Sequence, residues 1–86
     1  MFKLGTTVMT KMVEQVISRE ELIMALDRHR IGDWGLVEPE DAEANDEALV
    51  NNDRILSVYE SKDGITFWII TEADRSSTTV LLPEEY

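Results

Sequence analysis

The sequence predicts one small α+β domain in the order β-α-α-α-β-β-β, with a C-terminal antiparallel meander packed on the helices. Three observations predict it. Helix signals with apolar residues at helical spacing occupy the first half of the chain. Strand-forming runs separated by turn residues occupy the second half. The chain has 86 residues, well short of two domains, so residues 1–86 are read as a single unit.

Residues 3 to 10, Lys-Leu-Gly-Thr-Thr-Val-Met-Thr, are rich in strand formers and end at Thr10, an N-cap residue for a short helix through Ile17. Met12, Val13, Val16 and Ile17 fall on one helical stripe and are expected to face inward. Ser18-Arg19-Glu20-Glu21 has the spacing of a capping box, in which the Glu21 carboxylate reaches back to the Ser18 amide. A second helix is expected from there to about His29, with Leu22, Ala25 and Leu26 inward, ending at Gly32 in a left-handed conformation. Pro39 suits the first turn of a third helix, because its missing N–H has no helical partner there. Ala44, Ala48 and Leu49 are the inward candidates of that helix, with Asn45 on the same side. After Asn51-Asn52-Asp53 a strand runs from Arg54 to Glu60, Asp63-Gly64 marks a hairpin turn, Ile65 to Thr71 is the central strand, and Thr78 to Leu82 is the last.

In the central strand Ile65, Phe67 and Ile69 point one way, and Trp68 and Ile70 the other, so both faces are apolar. Three short helices cover one face. The second face is then left to the 30–38 loop with Trp34, to a second copy of the chain, or to a ligand, because a large bare apolar patch is unusual on a monomer. A homodimer is the expectation.

Composition restricts function. Eighteen acids against eight bases give a net charge of −10, the reverse of what a phosphate-gripping protein needs, so direct nucleic-acid binding is disfavoured. Glu38, Glu40, Asp41, Glu43, Asp46, Glu47 and Asp53 face only one nearby base, Arg54. That run reads either as a solvated helix face or as an imitation of a phosphate backbone for a basic partner. There is no cysteine, hence no disulfide framework and no thiolate metal site, which suits a reducing cytoplasm. No apolar run is long enough to span a bilayer.

Three stretches carry more polar chemistry than packing requires. One is Arg28-His29-Arg30-Ile31-Gly32-Asp33-Trp34-Gly35, another is Asn45, and the third is Glu72-Ala73-Asp74-Arg75, which joins two apolar strands. The bend after helix two and the tip of the last hairpin are expected to meet. His29, Asp33, Trp34, Asn45, Glu72, Asp74 and Arg75 then form a candidate pocket for an anion at Arg75 or for a divalent ion at the carboxylates, with acid–base chemistry at His29. Each also has a structural reading: Asp33 in a turn, His29 at a helix end, Asn45 fixing how helix three docks, and Arg75 in an ion pair with Glu72 or Asp74. No nucleophile–base pair, zinc pattern or phosphate-cradling loop appears, so no catalytic residue, metal site or cofactor is assigned.

The segments "RHRIGDWG" (28–35), "RILSVY" (54–59) and "WIITEADRSSTTVLLPEEY" (68–86), with the Asp41 and Asn45 spacing, resemble a family of small plasmid-related bacterial proteins found with plasmids, phages and other mobile elements. The opening "KLGTTVMT" is similar to the family's first strand, although Lys11 and Met12 follow Thr10 where the family often has Gly. The resemblance implies a shared polar loop and a mobile-element origin, and it transfers no activity. The leading expectation is a non-enzymatic, acidic, cytoplasmic module acting through a protein partner. The alternative is a small enzyme or ligand-binding protein using the charged group.

Overall fold

A computed structural model describes all residues, 1–86. The chain forms an α+β domain, with three helices and a four-stranded mixed sheet. The elements are β1 (Thr6–Met9), α1 (Lys11–Val16), α2 (Arg19–Arg30), α3 (Pro39–Asn51), β2 (Ile55–Glu60), β3 (Thr66–Thr71) and β4 (Ser77–Leu81), followed by a 3₁₀ turn at Pro83–Glu85. The sheet order is β1-β4-β3-β2, with β2, β3 and β4 an antiparallel meander and β1 added in parallel to β4. No helix is long and apolar enough to cross a membrane.

Local chemistry explains the helix limits. Thr10 Oγ1 accepts the Val13 amide at 3.2 Å to open α1, and Ser18 Oγ accepts the Glu21 amide at 3.3 Å to open α2. The Glu21 carboxylate does not return to Ser18. It accepts the Lys62 amide at 2.9 Å instead, tying the start of α2 to the β2–β3 turn. At the other end of α2, Gly32 N–H reaches His29 O and Asp33 N–H reaches Arg28 O, with Gly32 at φ +88. This pair of bonds satisfies the last carbonyls and turns the chain sharply.

On one face of the sheet, Val13, Ile17, Leu22 and Ala25 pack on Tyr59, Phe67, Ile69, Val80 and Leu82. A smaller cluster of Trp34, Ala48 and Ile55, with Phe2, Val37 and Ala42 against it, closes the far end. Several sequence expectations change here. Met12 and Val16 are exposed at 48% and 38%, because the six-residue α1 buries only Val13 while Ile17 follows in extended backbone. Of the residues expected inward on α3, Ala48 is buried with Asn45 beside it, whereas Ala44 and Leu49 face out. Trp34 does not close the second face; it belongs to the helix-side cluster, held by Phe2 and His29.

The outer edge of β2 is occupied. Asn45 Nδ2 donates to Leu56 O at 2.7 Å and Asn45 Oδ1 accepts Leu56 N–H at 3.2 Å, so one amide side chain does the work of a neighbouring strand. Further along, Val58 N–H donates to Trp34 O and Leu36 N–H to Val58 O. That bridge requires Gly35: a Cβ there would lie 2.0 Å from Val58 O, and its φ is +75.

Candidate functional site

The bend after α2 and the β3–β4 tip are neighbours, and His29 and Phe2 join them. His29 is fully buried, with Nδ1 2.5 Å from Ser57 Oγ and Nε2 2.8 Å from Thr71 Oγ1. Thr71 Oγ1 lies 2.7 Å from Thr78 Oγ1, and the Thr78 hydroxyl donates to Leu4 O at 2.7 Å. Phe2 stands edge-on to His29 at 5.2 Å, touches Trp34 at 6.1 Å, and carries the Arg75 guanidinium over its ring at 5.7 Å.

The direction of every proton in this row follows from its end. A carbonyl only accepts, so the single hydrogen of Thr78 goes to Leu4 O. Thr71 must then donate to Thr78, His29 Nε2–H must donate to Thr71, and Nδ1 is left to accept from Ser57. In its neutral form His29 therefore carries its proton on Nε2. Burial is the main reason its pKa falls to about 4, and the positive charge of Arg75 lowers it further. A serine hydroxyl on an imidazole nitrogen resembles a nucleophile–base pair, but none of His29, Ser57, Thr71 and Thr78 lines either cavity of the molecule. The row is a sealed polar core, and no buried side-chain nitrogen or oxygen lacks a partner.

The charged candidates each have a separate partner. Arg75, at φ +61, sends its guanidinium to backbone carbonyls only: Asp53 at 2.7 Å, Ala48 at 2.9 Å, Glu72 at 3.1 Å and Ala73 at 3.3 Å. It clamps the C-terminus of α3, where free carbonyls and the helix dipole favour a cation. The expected ion pair of Arg75 with Glu72 or Asp74 is absent for that reason. Glu72 lies 3.5 Å from Arg54, and Asp74 caps its own loop by accepting the Ser76 amide at 3.0 Å. Hydrogen bonds from Ser76 hold the Asp74 carboxyl below the usual range. Asp33 pairs with Arg28 at 2.7 Å and accepts the Gly35 amide, and the Arg28 hydrogen bond lowers its pKa. Its backbone carbonyl accepts the Tyr59 hydroxyl at 2.6 Å, and burial pushes that phenol up to about 12. Trp34 donates to Asp46 at 3.0 Å. Thus His29, Trp34 and Arg75 are brought together through Phe2, while Asp33, Glu72, Asp74 and Asn45 serve separate local structures. No group of three or more acids or histidines is placed to hold a metal ion.

The largest cavity lies on the other side of the sheet. Leu56, Trp68 and Ile70 form its apolar floor, Asp41, Ala44 and Asn45 of α3 form one wall, and Arg54 with Tyr86 forms the other; its volume is about 360 Å³. Tyr86 meets Trp68 edge-on at 5.6 Å, and Arg54 stacks on Tyr86 at 5.3 Å while remaining near Glu72. Hydrogen bonding to Tyr86, with the charge of Glu72 adding to it, raises the pKa of Arg54, so that wall stays cationic. The alternation in β3 points Trp68 and Ile70 toward this face, but Ala44, Leu56 and Tyr86 carry no pattern that assigns them to a site. Comparison with protein-family models, curated proteins and solved structures finds no match to this chain.

Proposed function

We propose that the chain is a non-enzymatic acidic module that acts by binding a protein partner, with the mobile-element origin and cytoplasmic setting that its sequence resemblance and composition suggest. One observation carries this reading: His29, Asp33, Trp34, Asn45, Glu72, Asp74 and Arg75 all have partners within the fold, while an apolar groove beside the acidic α3 stays open. The imidazole is sealed in, the Arg75 guanidinium is held by four backbone carbonyls, and the three ion pairs of the molecule involve none of the acids of α3. A charged surface of this kind speeds encounter with basic partners and selects against acidic ones.

The test is affinity capture from a bacterial lysate at low and high salt. The bait is the wild type or a variant with Glu40→Gln, Asp41→Asn, Glu43→Gln and Glu47→Gln, leaving Asp46 to hold Trp34. The expected result is a defined partner that elutes with salt and is lost in the variant. Recovery of nothing by either protein, or equal recovery by both at all salt concentrations, refutes the reading. Sedimentation of the pure protein tests the homodimer directly.

A further inference from the structure

The groove on the second face is built for a particular kind of occupant. Its volume of about 360 Å³ is at the low end for ligand sites, and its floor of Leu56, Trp68 and Ile70 offers no hydrogen-bonding side chain except the indole N–H. At the sheet edge beside the groove strand addition is closed to a partner, because Asn45 and the Trp34–Leu36 segment already hold the outer edge of β2. Whatever enters therefore does so side chain first. On the α3 wall Asp41 has no ion-pair partner, and neither have Glu40, Glu43 and Glu47 around it. The nearest cations do not neutralise them: Arg54 faces Glu72 and Tyr86, and Arg75 is held by backbone carbonyls.

We infer that this groove is the docking site for a basic, amphipathic peptide segment of a protein partner. The segment seats one bulky apolar side chain on Leu56, Trp68 and Ile70, and sets flanking Lys or Arg side chains against Asp41 and the acids of α3. The inference rests on the reading of the chain as an interaction module and adds the place and the chemistry. A second copy of the chain is a poor occupant, since it carries the same net charge of −10 and would bring two acidic walls together.

The probe is a synthetic 14-residue Leu–Lys amphipathic helix, with a Leu–Glu counterpart and a Ser–Lys counterpart as controls. Each is titrated into isotope-labelled full-length protein and followed by amide and indole NMR shifts. Only the Leu–Lys peptide should bind, moving the Trp68 indole and the amides of Ala44, Leu56 and Ile70. Its affinity should fall about ten-fold between 50 and 500 mM salt. Ala44→Arg, at an exposed position on the groove wall, should weaken binding at least about ten-fold. Asp41→Lys should weaken it by roughly five-fold with the groove left open. Ala44→Arg should keep the wild-type urea midpoint, and Asp41→Lys should lower it only slightly, by removing an acid from the first turn of α3. Equal binding of the Leu–Glu or Ser–Lys peptide, shifts confined to another surface, or indifference to Ala44→Arg overturns the proposal. So does sedimentation as a dimer that Ala44→Arg dissociates. A lysate partner that requires the α3 acids yet ignores Ala44→Arg would leave the module reading standing and remove the groove from it.

Discussion

Lowering the pH from 7.5 to 4.5 is expected to remove about 2.5 kcal/mol of stability through His29 alone. The side chain is fully buried among Ser57, Thr71, Phe2 and Trp34, with the Arg75 charge nearby, and its pKa is about 4. In the unfolded chain it titrates near its ordinary value of 6.5. Between those two values the unfolded state holds a proton that the folded state refuses. Folding stability is therefore complete above about pH 6.5 and declines as the pH falls toward 4, where linkage gives the figure of about 2.5 kcal/mol at pH 4.5. Protonation would also place a second N–H against Ser57, reversing the only bond that Nδ1 accepts. Asp33 and Asp74, whose pKa values are lowered, lose their contributions mainly below about pH 4, so the windows separate. The assay is urea denaturation at both pH values for wild type and for His29→Gln, with an NMR titration of the imidazole. His29→Gln should be destabilised at pH 7.5 by about 2 kcal/mol but lose about 2.5 kcal/mol less than the wild type on acidification. An identical pH dependence in the two proteins, or an imidazole that titrates near 6.5, refutes the reasoning.

Arg75→Ala should cost about 2 to 3 kcal/mol, because it strips a charged donor from four carbonyls, and it should also raise the pKa of His29. Urea midpoints and the same imidazole titration read both effects, and an unchanged His29 would show that the two groups are not coupled. Asn45→Leu keeps side-chain bulk but leaves the Leu56 amide and carbonyl without their partner, and should cost about 2 kcal/mol with faster hydrogen exchange at Leu56. Unaltered exchange there would mean that Asn45 does not protect the strand edge.

Features governed by near neighbours were legible in the sequence. Ser18, Gly32, Pro39 and Asp63-Gly64 each act within a few residues of themselves, and the structure uses all four as helix or turn boundaries. The alternation of Phe67 and Ile69 against Trp68 and Ile70 likewise sorted the two faces of β3. Long-range pairing left no such trace. Nothing local tells that β1 runs parallel to β4, or that Trp34 turns to the helix side, because Phe2 and His29 decide that from elsewhere in the chain. The partners of Arg75 are backbone carbonyls, which have no letter in a sequence. The partners of His29 are hydroxyls on two different strands, Ser57 of β2 and Thr71 of β3, each indistinguishable from an ordinary strand residue. Polar composition thus marked where His29 and Arg75 would matter without revealing what they bind.

The bond from Thr78 to Leu4 spans 74 positions, and β1 takes its whole hydrogen-bonded ladder from β4. During synthesis at roughly 5 to 20 residues per second, the first strand waits about 4 to 15 seconds for the strand that completes it. Until then Phe2 has no Arg75 to carry, and the hydroxyl row beneath His29 has no terminus. Final closure of the sheet is consequently a late event of high contact order, and a nascent chain halted before residue 77 holds its opening segment without a place to dock.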